Sequence, residues 1–314
     1  MKRSLLTGSL LIAIALVVFA SPITGQEPIT NQTRSFAVGN GPEAIAYDGS
    51  NIWVANQFSD TVTKVRVSDG AVLGTFSVGK RPIALAFDGS SIWVANYISN
   101  TLTRLRANNG ATIGTYAAGD GPGGLFYDGA NIWVANRNSN TVKKLSASTG
   151  ATIGTFGVGT RPIAIASDGT NIWVTNSSSN NVTKLRASDG AKLATISVGK
   201  GPFGVAFDGA SIWVANFFSQ SLTKLAKDGT VLGVYGVGDG PAGVTYAGNY
   251  IWVANNGSDS VSKVQVSNGS VVKSFAVNNG PYGVVFDGAN IWVASSSSAT
   301  VSKISPASNT SAVP

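Results

Sequence analysis

Ile52-Trp53-Val54-Ala55-Asn56 is the phrase on which the fold turns, because it comes back six more times along the chain. It returns unchanged at residues 92–96, 132–136, 212–216 and 251–255. Thr175 replaces the alanine in the copy at 172–176, and Ser295 replaces the asparagine in the copy at 291–295. All seven tryptophans belong to it, 40 residues apart except for one interval of 39 between Trp213 and Trp252. A fixed period of this size marks a repeat architecture in which each copy is one supersecondary unit.

Outward from the phrase, the second copy shows what one unit contains. Pro82 opens the run 83–87, Asp88-Gly89 turns it into 92–95, a third run covers 101–106, and Asn109-Gly110 turns that into 112–117. Four short runs separated by Asp-Gly or Asn-Gly describe one antiparallel four-stranded sheet. The single 39-residue interval comes from one residue missing at Lys227-Asp228-Gly229, inside the third hairpin, where length changes are tolerated. An open solenoid would carry polar capping repeats, and none is present. The last copy stops after its third strand near residues 300–304, while Thr33-Arg34-Ser35-Phe36-Ala37-Val38 copies the fourth-strand phrase of residues 74–78. The expected fold is therefore all-β. It is a seven-bladed β-propeller of four-stranded antiparallel blades, closed by an N-terminal strand that completes the last blade.

Composition agrees with many short strands and tight turns: 38 glycines, 12% charged residues, no cysteine and no histidine among 314 residues. Lys2 and Arg3 precede an apolar run over residues 10–20, too short to span a bilayer comfortably, which is the layout of a secretory signal peptide. The expected organisation is a signal peptide over 1–25, a linker over 26–32, the propeller over 33–304 and a tail over 305–314. The expected location is secreted, periplasmic or cell-surface. Without Lys2 and Arg3 the chain keeps 20 basic residues against 15 acidic ones, a mild excess that argues for no nucleic-acid partner. No second apolar segment follows, so no membrane span is expected after cleavage, and a monomer is expected. The absence of cysteine leaves ring closure to packing alone.

The repeat resembles the YVTN-type propeller repeat, which Trp173-Val174-Thr175-Asn176 nearly spells, and is similar more broadly to NHL-type propellers. The resemblance covers residues 33–304 and implies the propeller fold. For function it implies a choice among extracytoplasmic binding proteins, surface proteins and enzymes.

A zigzagging blade puts its Asp-Gly and Ser-Asp-Gly hairpins on one face, and the link into each proline and the loop after each Asn on the other. The first face is monotonous. Asp48, Asp88, Asp128, Asp168, Asp208 and Asp287 each precede a glycine and read as turn formers, and the tryptophans read as packing between adjacent sheets. Lys64, Lys184, Lys224, Lys263 and Lys303 on the third strand read as solvated residues of the outer rim. The second face differs from blade to blade. It carries Glu43, Phe58, Arg81, Tyr97, Arg137, Arg161, Phe203, Phe217 and Tyr282, and exposed arginines and aromatics on loops suit a binding surface for a protein, peptide or glycan.

Catalysis was tested by subtraction. Streptogramin lyases share this architecture and rely on histidine, which the chain lacks. Lactonases of the gluconolactonase type hold a divalent ion at the channel, whereas only Glu43, Asp120 and Asp239, in blades 1, 3 and 6, are acidic near the proline links. No nucleophile with an activating base is recognisable, and no cofactor site is evident. Binding is the expected role, with a channel-site lyase or metal-dependent lactonase as the alternative.

Overall fold

A computed structural model of the chain describes residues 33–306. The expected signal peptide and linker lie outside the described residues, as does all of the expected tail beyond Pro306. Seven four-stranded antiparallel sheets account for the strands. In blade 1 they are, from the inside outward, Pro42–Tyr47, Asn51–Asn56, Thr61–Arg66 and Val72–Ser77. The seventh blade takes Pro281–Phe286, Ile291–Ser295 and Thr300–Ile304 from the end of the chain, and its outer strand, Thr33–Ala37, from the beginning. Phe36 pairs with Val301 in that closing ladder, and the hydroxyls of Ser35 and Ser302 meet at 3.0 Å. Inner strands of consecutive blades touch all the way round, blade 7 against blade 1 included.

Each blade is buried on both faces, which explains why the repeated phrase is apolar without alternation. Ile52 and Val54 pack toward blade 7 with Trp292, Ala294 and Val301, while Trp53 fills the next interface with Ile92, Val94 and Leu105. No tryptophan is more than 1% exposed. Trp53 lies against Phe76 of its own outer strand at 5.6 Å and Trp292 against Phe36 of the closing strand at 5.7 Å. Blade 4 presents Ile196 in place of the aromatic.

The turn aspartates form turns and also do a second thing. Oδ1 of Asp48 accepts the backbone N–H groups of Ser50 and Asn51 at 2.9 and 2.6 Å, while Oδ2 accepts the indole N–H of Trp53 at 2.8 Å. The carboxylate–indole bond recurs in blades 2, 3, 4, 5 and 7. Blade 6 carries Ala247 at this position.

The third-strand lysines differ from the expected solvated rim. Lys64 is 7% exposed. Its ammonium lies 5.1 Å from the Trp53 ring and donates to the carbonyl of Ala107 in the next blade at 2.7 Å. Lys144, Lys184, Lys224 and Lys303 make the same tie to Ala187, Lys227, Val266 and Val67. The stem is long enough to cross its own blade's tryptophan and reach a carbonyl in the following blade's turn, so the charge is used between blades. Arg104 stands in for lysine in blade 2 and pairs with Asp88 at 2.9 Å.

Near the axis, inner strands approach so closely that some positions have no room for a side chain. A Cβ on Gly124 would collide with the carbonyl oxygen of Ile163, and one on Gly204 with that of Ala242. This crowding leaves the channel narrow and brings the first residues of the inner strands together at its mouth.

Candidate functional site

Proline opens every inner strand, and in five blades the side chain that follows it lines the channel mouth. Glu43, Ile83, Ile163, Phe203 and Tyr282 line a cavity of about 240 Å3 there. Blade 3 has Gly123 at this position. The vacated space is filled by Arg137 from the loop after the second strand, because a Cβ on Gly123 would collide with the Arg137 Nε. Arg137 Nη2 donates to the Gly123 carbonyl at 3.3 Å and lies 3.9 Å from Glu43 Oε1. Both side chains are nearly enclosed, at 12% and 11% exposed. Burial raises the Glu43 carboxyl above its ordinary value against the pull of Arg137 and Arg81. The Tyr282 phenol is raised by burial and by Glu43, while Arg137, Arg161 and Arg81 pull it back. Three arginines and one carboxylate thus share a single electrostatic neighbourhood.

The mouth has two chemically distinct sides. On one, Arg81 stacks over the Tyr97 ring at 5.2 Å and Arg137 over the same ring at 5.8 Å. Arg81 Nε donates to Gln57 Oε1 at 3.2 Å, the Tyr97 hydroxyl to Asn138 Oδ1 at 3.2 Å, and Asn138 Nδ2 to Asp120 at 3.1 Å. On the other side Phe203 meets Tyr282 edge-on at 5.4 Å and Phe217 at 6.0 Å, and Phe217 meets Phe218 at 5.2 Å. A single 3-10 turn over Phe217–Ser219 carries the last two rings.

Backbone conformation singles out two of the arginines. The residue before each inner-strand proline has φ near +60°, and five blades place glycine there: Gly41, Gly121, Gly201, Gly240 and Gly280. Blades 2 and 4 place Arg81 at φ 58° and Arg161 at φ 57°. A side chain in that region costs about 1 kcal/mol or more, and such strain concentrates at functional sites. The backbone N–H of Arg81 is held by Asp60 Oδ1 at 2.8 Å and that of Arg161 by Asn140 Oδ1 at 2.9 Å, so the conformation is imposed by the preceding blade's loop.

Of the nine residues expected on the variable face, eight gather at the mouth: Glu43, Arg81, Tyr97, Arg137, Arg161, Phe203, Phe217 and Tyr282. Phe58 stands apart, 69% exposed, over the Gly41 link. Gln57, Asn138 and Phe218 belong to the site as well. Their signal was the variability of the two residues after each repeat asparagine, a pair whose backbone N–H groups bond to the proline link while the side chains differ from blade to blade. The next position is structural: Ser59, Ser99, Ser179, Ser219 and Ser258 accept backbone N–H groups from the neighbouring link. Among the described residues no cluster of three or more His, Cys, Asp or Glu could hold a metal, and no helix is long and apolar enough to cross a membrane.

No protein-family model and no curated protein matches the chain. Solved structures do. Virginiamycin B lyase from Staphylococcus aureus is 17% identical with a TM-score of 0.77, covering 87% of this chain and 99% of its own. A streptogramin B lyase is 19% identical with a TM-score of 0.75, covering 86% of this chain and 96% of its own. Hydrazine synthase from Kuenenia stuttgartiensis is 20% identical with a TM-score of 0.76, covering 85% of this chain and 96% of the matched one. At such identities the likeness concerns architecture: the chain is similar to these proteins as a seven-bladed β-propeller.

Proposed function

We propose that the chain is an extracytoplasmic binding propeller of the YVTN or NHL-like kind. It would present the loop face around its channel mouth to a protein, peptide or glycan and need no cofactor. One observation carries the reading: side chains from six of the seven blades converge on one mouth, arginines and a carboxylate on one side and a run of aromatic rings on the other. Arginine and aromatic anchors around a partly enclosed hollow are the composition of a binding hot spot.

The test is capture of a partner from cell-surface extract by the mature chain. The variant Arg81→Ala, Arg161→Ala, Phe203→Ala is expected to lose the partner. The comparison variant on the opposite face is Asp69→Asn with Asp189→Asn, whose ion pairs with Arg66 and Arg186 are half-exposed and worth little to stability. The turn aspartates would be poor controls, because their carboxylates accept buried indole N–H groups. Equal loss of capture from both variants, with unchanged circular dichroism, would remove the assignment of the site to this face.

A second reading, catalysis at the channel mouth, has Glu43 in its favour, since burial raises its carboxyl toward the range of a general acid or base. The lyase structures carry no weight for it at their level of identity, and the chain contains no histidine. Turnover abolished by Glu43→Gln, with folding unchanged, would establish it.

A further inference from the structure

Arg161 is the one charged residue in the wall of a second hollow of about 140 Å3, beside the channel mouth, whose other walls include Phe203, Phe217, Phe218 and Tyr282. Its guanidinium makes no side-chain hydrogen bond or ion pair among the described residues; only its backbone is engaged, the N–H donating to Asn140 and the carbonyl accepting from Ser177. Arg161 therefore holds a left-handed backbone conformation, where five other blades use glycine, without the guanidinium tying any part of the scaffold together. An exposed arginine kept at a strained position without a partner in the chain is available to a ligand.

The adjoining channel hollow shares Ile163, Phe203 and Tyr282 with this one and adds Arg137. Arg137 is also under-compensated. Its side chain is nearly enclosed, its Nε has no partner, and its nearest carboxylate, Glu43, is 3.9 Å away, beyond hydrogen-bond reach. A planar guanidinium fork is matched by a carboxylate, and the flanking rings are matched by a flat apolar group. The two adjoining hollows, of about 140 and 240 Å3, have room for a fragment of roughly one to two rings.

We infer that the hollow between Arg161 and the Phe203–Phe217–Tyr282 rings is a binding site for an aromatic carboxylate, with the carboxylate on Arg161 toward Arg137 and the ring among the aromatics. The inference rests on the binding reading above and names the chemistry recognised by that face. The same chemistry is offered by a free aromatic acid and by a peptide ending in phenylalanine.

Titration of the full mature chain with 2-naphthoate and with N-acetyl-Gly-Phe, each against its neutral amide, followed by calorimetry, separates the two sources. At least one acid is expected to bind saturably and about tenfold or more tighter than its amide, and the tighter acid identifies the source. Arg161→Gly, which installs the residue that five blades already carry, should weaken that acid about tenfold while the melting temperature stays level or rises. Phe203→Ala should weaken it as well. Failure of both acids to bind below about 10 mM, equal binding of acid and amide, or indifference to Arg161→Gly overturns the inference. If partner capture is lost in the triple variant while neither acid binds, the face remains a binding face and only the aromatic-carboxylate assignment falls. If the acid binds as expected while the triple variant still captures a partner, the pocket stands and the partner is held elsewhere.

Discussion

At the scale of single residues, a tryptophan–aspartate pair recurs in six of the seven blades. The indole fills the gap between sheets, and its N–H is satisfied by a carboxylate five residues earlier, so a large aromatic is buried without an orphaned donor. Trp133→Ala is expected to cost about 3–5 kcal/mol by urea titration, the range for deleting a buried large aromatic, and a loss near zero would contradict its place between blades 3 and 4. Charge at this scale gives a pH dependence of two signs. Burial alone would raise Asp88, Asp128, Asp168 and Asp287, but the indole and backbone N–H groups outweigh it and hold them below the ordinary carboxylate range. Their contribution is present above that range and lost as pH falls through their folded values. Glu43 works the other way, because its folded value is raised: its contribution is present in acid and lost as pH climbs through that value. The stability of the native chain relative to Glu43→Gln should therefore decline over the interval that begins at the ordinary carboxylate range and runs upward from it. A flat difference across that interval would mean that the carboxyl is not desolvated.

At the scale of elements, the strand at Thr33–Ala37 has the largest consequence for its length. It supplies the whole outer edge of blade 7, and Phe36 covers Trp292 as Phe76 covers Trp53. Removing residues 33–37 leaves the strand at Thr300–Ile304 as an unpaired edge and uncovers Trp292, both invitations to aggregation. The truncated protein should elute as soluble aggregates or melt well below the untruncated one, and an unchanged melting curve would show that this strand does not close the ring. The lysine ties belong at this scale too. An ammonium crossing from one blade to a turn carbonyl of the next couples neighbours in a way that a strand-by-strand inspection of the repeat did not reveal.

For the whole molecule, closure changes how the repeats depend on one another. An open array frays from its ends, whereas here every blade has two neighbours and each of the seven tryptophans reports on a different interface. Denaturant unfolding followed by tryptophan fluorescence and by far-ultraviolet circular dichroism should give coincident transitions in the intact propeller. Separation of the two curves would show that the blades melt in groups and that closure does not couple them. The ring also creates the site, since no single blade contains more than a fragment of the channel mouth.

The fold was almost wholly legible in the sequence, because a 40-residue period, Asp-Gly hairpins and an uninterrupted Ile-Trp-Val-Ala run leave a closed ring of four-stranded sheets as the arrangement that buries both faces of every blade. The displaced outer strand was legible for the same reason: its sequence copies the phrase missing from the last repeat. Which face varies could also be read, since variation within one chain needs only the repeats to compare. What the tertiary structure alone decided is convergence. Glu43, Arg137, Phe203 and Tyr282 are separated by up to 239 positions along the chain and meet because the inner strands crowd around one axis. It also decided that Gly123 yields its space to Arg137, and that five third-strand lysines reach a carbonyl of the next blade. Local pattern specifies a strand and its turn, whereas the partner of a long flexible side chain is set by whatever the closed ring brings within its reach.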